Sequence, residues 1–315
     1  MDGLKACLSS ASNSIKVALD LSLIVLSKGK ANMKIIKKIV TVLLMVIMIG
    51  LLGAYFYLSS PEALDPNRIQ WLESSLIAHR GLHEGNIPEN SMDAFSAAIE
   101  GGYIIELDAQ ITKDNKIVVL HDNDLNRMLG IDKLITEVTY EELQTYNILG
   151  SDQKVPLLSD VLALVDDQVP LLIEIKNDLE VGLLEGALYE VLKNYEGRFA
   201  VIAFNPYSLA WFKTNAPDFI RGQVSGHFSL SEADKAKGVK RLVYYKRFML
   251  SNLLMNFESR PNFIVYEIKD TPLIRILSIK LMNVPLIGYA VDDQDEYDQV
   301  SMMYDNLMVN TDTIK

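Results

Sequence analysis

The 315-residue sequence has almost no cysteine, since Cys7 is its single thiol. One thiol excludes a disulfide framework, a zinc ribbon and an iron site built from a cysteine cluster. Positive charge is also scarce after residue 60. Residues 1–60 hold seven Lys or Arg and two Asp or Glu, which leaves 23 basic and 39 acidic residues, a net charge of −16, in the remainder. A domain this acidic is a poor partner for a phosphate backbone, so we expect no nucleic-acid binding.

Residues 39–58 form an uncharged apolar run of twenty residues. At about 1.5 Å per residue, a helix of this length spans the roughly 30 Å hydrocarbon core of a bilayer. The run is preceded by Lys28, Lys30, Lys34, Lys37 and Lys38. Because positive charge stays on the cytoplasmic side, we predict a single-pass anchor in the cell membrane, with residues 1–38 cytoplasmic and residues 61–315 extracytoplasmic.

A cleaved signal peptide is the alternative interpretation of the apolar run. The length of the run and the lack of a clear small-residue cleavage site after it favour an uncleaved anchor. Met33 begins a segment typical of a signal-anchor, so a translation start at Met33 is an alternative to Met1.

After a predicted juxtamembrane linker at 59–75, short apolar runs alternate with helical patterns. The candidate strands are Leu76–His79, Ile104–Ile111, Ile117–His121, Leu171–Ile175, Phe199–Phe204, Ile220–Val224, Phe263–Tyr266, Pro285–Val291 and Leu307–Val309. This alternation predicts an α/β TIM barrel over residues 76–315. Nine candidates for eight barrel positions imply that one run lies off the barrel. A doubly wound open sheet is the alternative, because periodicity alone cannot close a barrel.

An insertion is predicted at about 227–261. Within it, Lys235–Pro261 is both basic and apolar, although the surrounding domain is acidic. The stretch is either a barrel helix with a longer connection or a membrane-facing amphipathic helix that holds the mouth of the site near lipid headgroups.

Ionisable side chains fall at the ends of the first four candidate strands: His79, Arg80, Glu106, Asp108, His121, Glu174 and Lys176. In a parallel barrel the carboxyl ends of all strands open on one side, where active sites lie. So much buried charge requires partners, because unpaired charges in a protein interior are very costly. We therefore predict that these residues share one pocket.

Glu106, Asp108 and Glu174 suit a hard divalent cation, Mg²⁺ or Ca²⁺, because such ions favour oxygen ligands. Arg80 and Lys176 would then bind an anionic substrate such as a phosphate. Two histidines suit proton transfer on either side of a cleaved bond. Together these groups indicate phosphodiester cleavage.

The same residues carry a family resemblance. In order and spacing, the chain resembles the glycerophosphodiester phosphodiesterase family at His79-Arg80-Gly81, Pro88-Glu89-Asn90-Ser91, Glu106-Leu107-Asp108-Ala109-Gln110, Thr112-Lys113-Asp114, His121-Asp122, Leu125-x-Arg127 and Glu174-Ile175-Lys176. The resemblance runs from about Leu76 to the C-terminus and is densest up to Lys176.

The resemblance implies a TIM barrel that hydrolyses a glycerophosphodiester to an alcohol and glycerol 3-phosphate. By the same resemblance Glu106, Asp108 and Glu174 match the metal ligands, His79 and His121 match the acid/base pair, and Arg80 matches the phosphate contact. Lys176 is expected to be a neighbour of the phosphate. Glu89 is placed near this set, either on the metal or steadying Arg80. Tyr289 stands where the family often has tryptophan, and it offers a flat wall to the substrate. Which histidine is the acid, and whether water or a substrate hydroxyl attacks, stay open.

Two other functions stay open as alternatives. One is phospholipase D-like cleavage of intact or lyso-phospholipids in the membrane, which the basic stretch favours. The other is a non-catalytic surface module that binds phosphorylated polymers. The presence of every expected catalytic residue argues against this second alternative. A glycerophosphodiester or lysophospholipid and membrane lipid are the expected partners, and no segment indicates a protein partner.

Overall fold

The computed structural model describes residues 13, 16–22, 33–177, 180–229, 241–269, 271–310 and 314. Cys7, Lys28, Lys30, residues 235–240 of the basic stretch, Thr311 and Asp312 lie outside the described residues. The chain divides into two compact units, Met1–Leu58 and Ser59–Lys315. One helix, α1, covers Met33–Ser59 and contains the predicted anchor. Its segment Ile36–Ser59 is long and apolar enough to cross a membrane, a property that anchors and signal sequences share.

The second unit is a closed barrel. Its strands are β1 (Ile77–Ala78), β2 (Ile104–Ile111), β3 (Ile117–Val119), β4 (Leu171–Ile175), β5 (Phe199–Ala203), β6 (Ile220–Ser225), β7 (Phe263–Glu267), β8 (Leu286–Val291) and β9 (Asn306–Val309). Eight of them pair in parallel in the order β1-β2-β4-β5-β6-β7-β8-β9, and β9 pairs with β1 to close the ring. The predicted TIM barrel is confirmed, and the closed ring excludes the open-sheet alternative.

Strand β3 is the run that lies off the barrel. It pairs antiparallel with the end of β2, with Ala109 opposite Val119. The prediction that His121 ends a parallel barrel strand is therefore wrong. Residues 112–116 join the two strands, and a parallel crossover needs a connection of about a dozen residues or more. The short connection instead makes a hairpin, which returns the chain toward the middle of β2.

Helices surround the ring and fill the connections between strands. They are α2 (Pro66–Ile69), α3 (Met92–Gly101), α4 (Asn126–Leu129), α5 (Tyr140–Leu143), α6 (Leu158–Val165), α7 (Leu183–Leu192), α8 (Pro206–Asn215), α9 (Tyr244–Ser251), α10 (Asn256–Ser259), α11 (Leu273–Lys280) and α12 (Gln294–Val300). Short 3₁₀ turns cover Gln70–Glu73, Ile135–Glu137, Ile148–Gly150 and Ser301–Met303. The described part of the predicted insertion thus contributes α9 and α10 between β6 and β7.

Residues 59–75, predicted as a linker, fold with the barrel. Trp71 and Leu72 are buried against the first residues of several strands, among them Ile77 and Ile104. Asn306 Nδ2 fixes this segment by donating to the carbonyl oxygens of Leu72 (2.6 Å) and Ser75 (2.7 Å). The segment therefore closes the amino-terminal end of the barrel with apolar side chains and leaves the carboxyl end for polar ones.

Candidate active site

Side-chain alternation along β2 builds the acidic centre of the site. Ile104, Glu106 and Asp108 occupy alternate positions and so point to the same side of the strand. The register places Asp108 beside Glu174 of the neighbouring strand β4. One carboxylate oxygen from each of Glu106, Asp108 and Glu174 lies within 4.8 Å of the others, and all three residues are buried. The predicted cluster thus forms at one place.

This cluster fits a hard divalent cation. Burial and the neighbouring charges of Asp108 and Glu174 raise the pKa of Glu106 well above its ordinary value, because its ionised form has too little compensation. Glu106 Oε1 is buried and has no hydrogen-bond partner among the residues that the structure describes. Mg²⁺ and Ca²⁺ prefer negatively charged oxygen ligands. The three carboxylates supply such ligands, and Glu106 Oε1 is a buried acceptor that a cation would satisfy.

Two basic side chains border the cluster. Lys176 Nζ lies 2.7 Å from Glu174 Oε1 and 3.0 Å from Asp108 Oδ1. Burial alone would lower the pKa of Lys176, but Asp108 and Glu174 raise it above its ordinary value. On the other side, Arg80 Nε lies 3.4 Å from Asp108 Oδ2, and the Arg80 backbone N–H donates to Glu106 Oε2 (2.9 Å). Both cations therefore stay charged beside the carboxylates.

The loop that presents Arg80 depends on a glycine. Arg80 has φ 59° and Gly81 has φ 76°, so two consecutive residues adopt the left-handed region. A Cβ at Gly81 would lie 2.8 Å from backbone and side-chain atoms of Ala94. Glycine lets the turn pack against α3 and aim Arg80 at Asp108 and Glu106.

His79 is the imidazole at the end of β1. Its Nε2 lies 4.0 Å from Glu106 Oε2, and its Nδ1 lies 2.7 Å from Asn310 Oδ1. Asn310 Nδ2 donates to Asp292 Oδ1 (2.6 Å), so the amide oxygen faces His79 and accepts from Nδ1. Nε2 consequently carries the lone pair. Burial, followed by the charge of Arg80, lowers the pKa of His79 to about 3, which keeps it neutral.

His121 reaches the cluster through the β2–β3 hairpin. The Leu120 backbone N–H donates to the Asp108 carbonyl (2.9 Å), and Gln110 Nε2 donates to the His121 carbonyl (2.9 Å). His121 Nδ1 lies 2.6 Å from Asp122 Oδ1. Burial would raise the pKa of Asp122, but its hydrogen bonds with His121 and Arg127 lower it. Asp122 is thus an ionised acceptor for the Nδ1–H of His121.

Arg127 joins Asp122 to Glu89. It donates to Asp122 through Nε (2.6 Å) and to Glu89 Oε1 through an Nη (2.8 Å). The same Glu89 oxygen accepts from Arg80 (2.8 Å). Burial would raise the pKa of Glu89, but Arg127 and Arg80 lower it to about 2. Glu89 lies outside the carboxylate cluster, so of its two predicted roles the geometry favours steadying Arg80.

Asn90 and Asn310 were not predicted as site residues. Asn90 Nδ2 donates to Asp108 Oδ2 (2.8 Å), and the Asp108 N–H donates to Asn90 Oδ1 (3.3 Å). Asn90 precedes α3, and Ser91 caps this helix by accepting from the Ala94 N–H (3.2 Å). The signal that could have identified Asn90 is the Pro88-Glu89-Asn90-Ser91 motif itself.

Tyr289 forms part of an aromatic wall. Its hydroxyl donates to the Ser225 carbonyl (3.2 Å), and its ring meets Phe204 edge-on with centroids 6.0 Å apart. Phe204 in turn contacts Phe228 at 5.8 Å. Burial raises the pKa of Tyr289 well above its ordinary value, so the phenol stays neutral. The rings of Tyr289, Phe204 and Phe228 are therefore in contact with one another, and the contact of Tyr289 with substrate stays a prediction.

A cavity of about 1050 Å³ extends from Glu174 and Lys176 to α9. Most of its lining is apolar or aromatic: Phe204, Phe228, Leu242, Tyr245, Met249, Leu250 and Met255. One end of this cavity therefore touches the charged cluster, and the other end is suited to an apolar group.

The chain matches the glycerophosphoryl diester phosphodiesterase family model over residues 79–303. It is 39% identical over 173 residues to the uncharacterised protein YqiK of Bacillus subtilis. This alignment covers 51% of this chain and 70% of YqiK. Identity is 36% over 156 residues to a glycerophosphodiester phosphodiesterase of Bacillus altitudinis (46% of this chain, 63% of the relative). Sequence identity to human lysophospholipase D GDPD1 is 33% over 158 residues, which cover 46% of this chain and 49% of the relative.

Solved structures agree with the barrel. An Oleispira antarctica phosphodiesterase in complex with the product sn-glycerol-3-phosphate superposes with a TM-score of 0.60 at 18% identity, covering 75% of this chain and 92% of that one. At this identity the likeness concerns the fold alone. The aligned part of the chain spans less than two thirds of the two relatives named as enzymes.

Proposed function

Because this chain belongs to the glycerophosphoryl diester phosphodiesterase family, we propose that it hydrolyses a glycerophosphodiester to an alcohol and glycerol 3-phosphate with a divalent cation. The predicted family and enzyme class are confirmed by the family match and by relatives that carry this enzyme name. The observation that carries the proposed reaction is the convergence of three carboxylates with His79 and His121 at the carboxyl end of the barrel.

Glu106, Asp108 and Glu174 would hold the cation, with Mg²⁺ or Ca²⁺ as the candidates. When bound, the cation supplies positive charge that polarises the phosphoryl oxygens. Lys176 and Arg80 lie beside the same carboxylates and would bind the remaining phosphate oxygens. Glu89 and Arg127 hold the guanidinium of Arg80 in place through the ion pairs described above. Asn90 orients Asp108 within the cluster.

The hydrogen bonds of the two imidazoles suggest opposite roles. His79 has its lone pair on Nε2, on the side of Glu106, so it would accept the proton of the attacking oxygen. His121 donates a hydrogen bond through Nδ1 to ionised Asp122, which orients the ring, so His121 would protonate the leaving alcohol oxygen. A base and an acid on either side of the phosphorus satisfy the proton balance of diester cleavage.

The proposed location is the outer side of the cell membrane. The apolar helix within Met33–Ser59 supplies the span, and the lysines before residue 39 set its orientation with the N-terminus inside. Labelling of an engineered cysteine in the barrel by a membrane-impermeant thiol reagent on intact cells tests this orientation. Labelling only after lysis would place the barrel in the cytoplasm and overturn the proposal.

The activity is tested by incubating the full chain with glycerophosphocholine and measuring released glycerol 3-phosphate with Mg²⁺, Ca²⁺ or a chelator. We expect turnover that the chelator abolishes and that His79→Ala and Glu106→Gln both lose. The exposed Glu196→Gln is the matched control. Full activity in either site variant overturns the site assignment. Binding of the diester without turnover in the presence of metal supports the surface-module alternative instead.

A second candidate is phospholipase D-like cleavage of lysophospholipids. The specific observation in its favour is the cavity of about 1050 Å³ between Lys176 and α9, whose largely apolar lining suits part of an acyl chain. Lysophosphatidylcholine and glycerophosphocholine share the cleaved bond and differ by that chain. A higher kcat/KM for the lysolipid supports this candidate, and turnover of glycerophosphocholine alone refutes it.

A further inference from the structure

The segment Arg241–Phe248 exposes apolar and basic side chains together. Leu242, Val243, Tyr244, Tyr245 and Phe248 are between 40% and 74% exposed, and the same segment contains Arg241, Lys246 and Arg247. Side chains of this size are normally buried, and a contiguous exposed group of them marks an interaction surface. We call these eight residues the aromatic–basic patch.

The barrel holds this patch in a fixed position. Ser225 Oγ donates to the Leu250 carbonyl (2.9 Å), and the Tyr266 hydroxyl donates to the Ser251 carbonyl (2.8 Å). Both bonds tie the end of α9 to the carboxyl ends of β6 and β7. On the outer side, Tyr244 stacks on Phe248 with centroids 6.4 Å apart, and the Arg247 guanidinium lies 5.9 Å above the Tyr244 ring. The patch is thus an ordered surface.

The charge of the aromatic–basic patch indicates which kind of partner it binds. Residues 241–257 contain Arg241, Lys246 and Arg247 and no Asp or Glu, although residues 61–315 carry a net charge of −16. A locally positive surface on an acidic domain attracts an anionic partner. Aromatic rings with a polar tip, mixed with basic residues, are typical of helices that lie in the headgroup region of a bilayer.

The place where the chain enters the barrel unit also favours a lipid surface as the partner of the patch. Ser59 is buried, and its carbonyl accepts a hydrogen bond from Asn256 Nδ2 (2.9 Å). Met255, the preceding residue, lines the cavity that leads from Lys176 to α9. The chain therefore enters the barrel unit beside the connection that carries the patch. If residues 39–58 cross a membrane, the lipid surface begins within a few residues of that point.

We propose that the aromatic–basic patch binds an anionic lipid surface and thereby holds the mouth of the cavity against lipid headgroups. Leu242, Tyr245 and Lys246 belong both to the patch and to the cavity lining, so a patch seated on lipid places the cavity at the headgroup level. The inference concerns the surface, and it stands independently of the reaction proposed for the site.

The test uses the full chain in a Cys7→Ser background, reconstituted into phosphatidylcholine vesicles with or without phosphatidylglycerol. A fluorophore is attached at Tyr244→Cys or, as the control, at Met302→Cys, a position 95% exposed on another helical turn. Nitroxide-labelled lipid quenches a fluorophore that lies at the bilayer surface. We expect quenching at position 244 to exceed that at position 302 at least about twofold and to increase with phosphatidylglycerol.

Charge reversal separates binding by the patch from simple proximity to the membrane. Arg241→Glu with Arg247→Glu should reduce quenching at position 244 by about half or more. The control, Lys193→Glu with Lys280→Glu, changes the net charge equally at two surface ion pairs and should leave it unchanged. Equal quenching at positions 244 and 302, or no response to lipid charge, overturns the proposal. Self-quenching at position 244 without lipid quenching also overturns it, because the occupant is then a second copy of the chain.

Discussion

His79 Nδ1 lies 2.7 Å from Asn310 Oδ1, although 231 positions separate the two residues along the chain. Ring closure produces this contact, because His79 follows β1 and Asn310 follows β9, and β1 and β9 pair in parallel. Asn310 in turn donates to Asp292, which accepts from Lys269 (2.9 Å). This chain of hydrogen bonds fixes the tautomer of His79 from outside the acidic cluster.

Asn310→Ala should therefore lower kcat by loosening the orientation of His79. The loss should stay below the roughly 10²- to 10⁴-fold contribution of acid–base catalysis, because the imidazole itself remains. Steady-state kinetics on glycerophosphocholine measure it, with Asn215→Ala on the exposed end of α8 as the control. An unchanged kcat would show that the Asn310 bond does not matter for turnover.

Metal affinity gives a measurement that does not depend on turnover. Glu106→Gln keeps the shape of the side chain but removes the charge from the oxygen that has no hydrogen-bond partner in the described structure. We expect calorimetric titration of Mg²⁺ or Ca²⁺ to show binding to the unchanged chain and at least about tenfold weaker binding to the variant. Glu196→Gln serves as the control, and equal affinity in both variants would place the cation elsewhere.

Sequence patterns predicted the parts of the site that alternate along strands. Ile104, Glu106 and Asp108 share one side of β2 because side chains alternate, and the polar ends of β2 and β4 marked the carboxyl end of the barrel. An isolated amide has no such pattern. Asn310 cannot be connected to His79 without the ring closure, and the position of Asn90 just before a helix does not reveal that it binds Asp108.

The off-barrel strand could have been identified from the sequence. The apolar run Ile117–Val119 is indistinguishable in composition from a barrel strand, so periodicity gave nine candidates for eight positions. The five residues that join it to β2 are too few for a parallel crossover. The number of residues between consecutive candidate strands therefore identifies the hairpin of β2 and β3. The hairpin also explains how His121 reaches Asp108.

Arg127→Lys should weaken the positioning of His121 and Arg80 together. Arginine reaches Asp122 and Glu89 with separate nitrogens, whereas lysine offers a single ammonium group. We expect kcat to fall about tenfold while stability changes by less than about 1 kcal/mol, since the side chain is 42% exposed. Arg198→Lys, which alters an ion pair with Asp167 away from the site, should leave kcat unchanged. Equal kcat values for both variants would refute the role of Arg127.

Residues 59–75 should contribute to barrel stability. Leu72 is fully buried among the first residues of the barrel strands, so Leu72→Ala leaves a cavity and should cost about 2–5 kcal/mol. Urea unfolding of the full chain in detergent micelles measures the change. Leu277→Ala, at a position 49% exposed, is the control and should cost much less. A negligible effect of Leu72→Ala would mean that this segment is a linker, as the sequence suggested.

Filling the apolar cavity should discriminate between substrates that differ in an acyl chain. Met249 lines the cavity from α9, and Met249→Trp adds volume there without touching Glu174 or Lys176. If the cavity accepts the chain of a lysophospholipid, the ratio of kcat/KM for lysophosphatidylcholine to that for glycerophosphocholine should fall about tenfold or more. Met302→Trp, on an exposed turn, should leave this ratio as it is. If both variants keep the ratio of the unchanged chain, the cavity does not bind the acyl group, and the lysophospholipid candidate loses the observation that favours it.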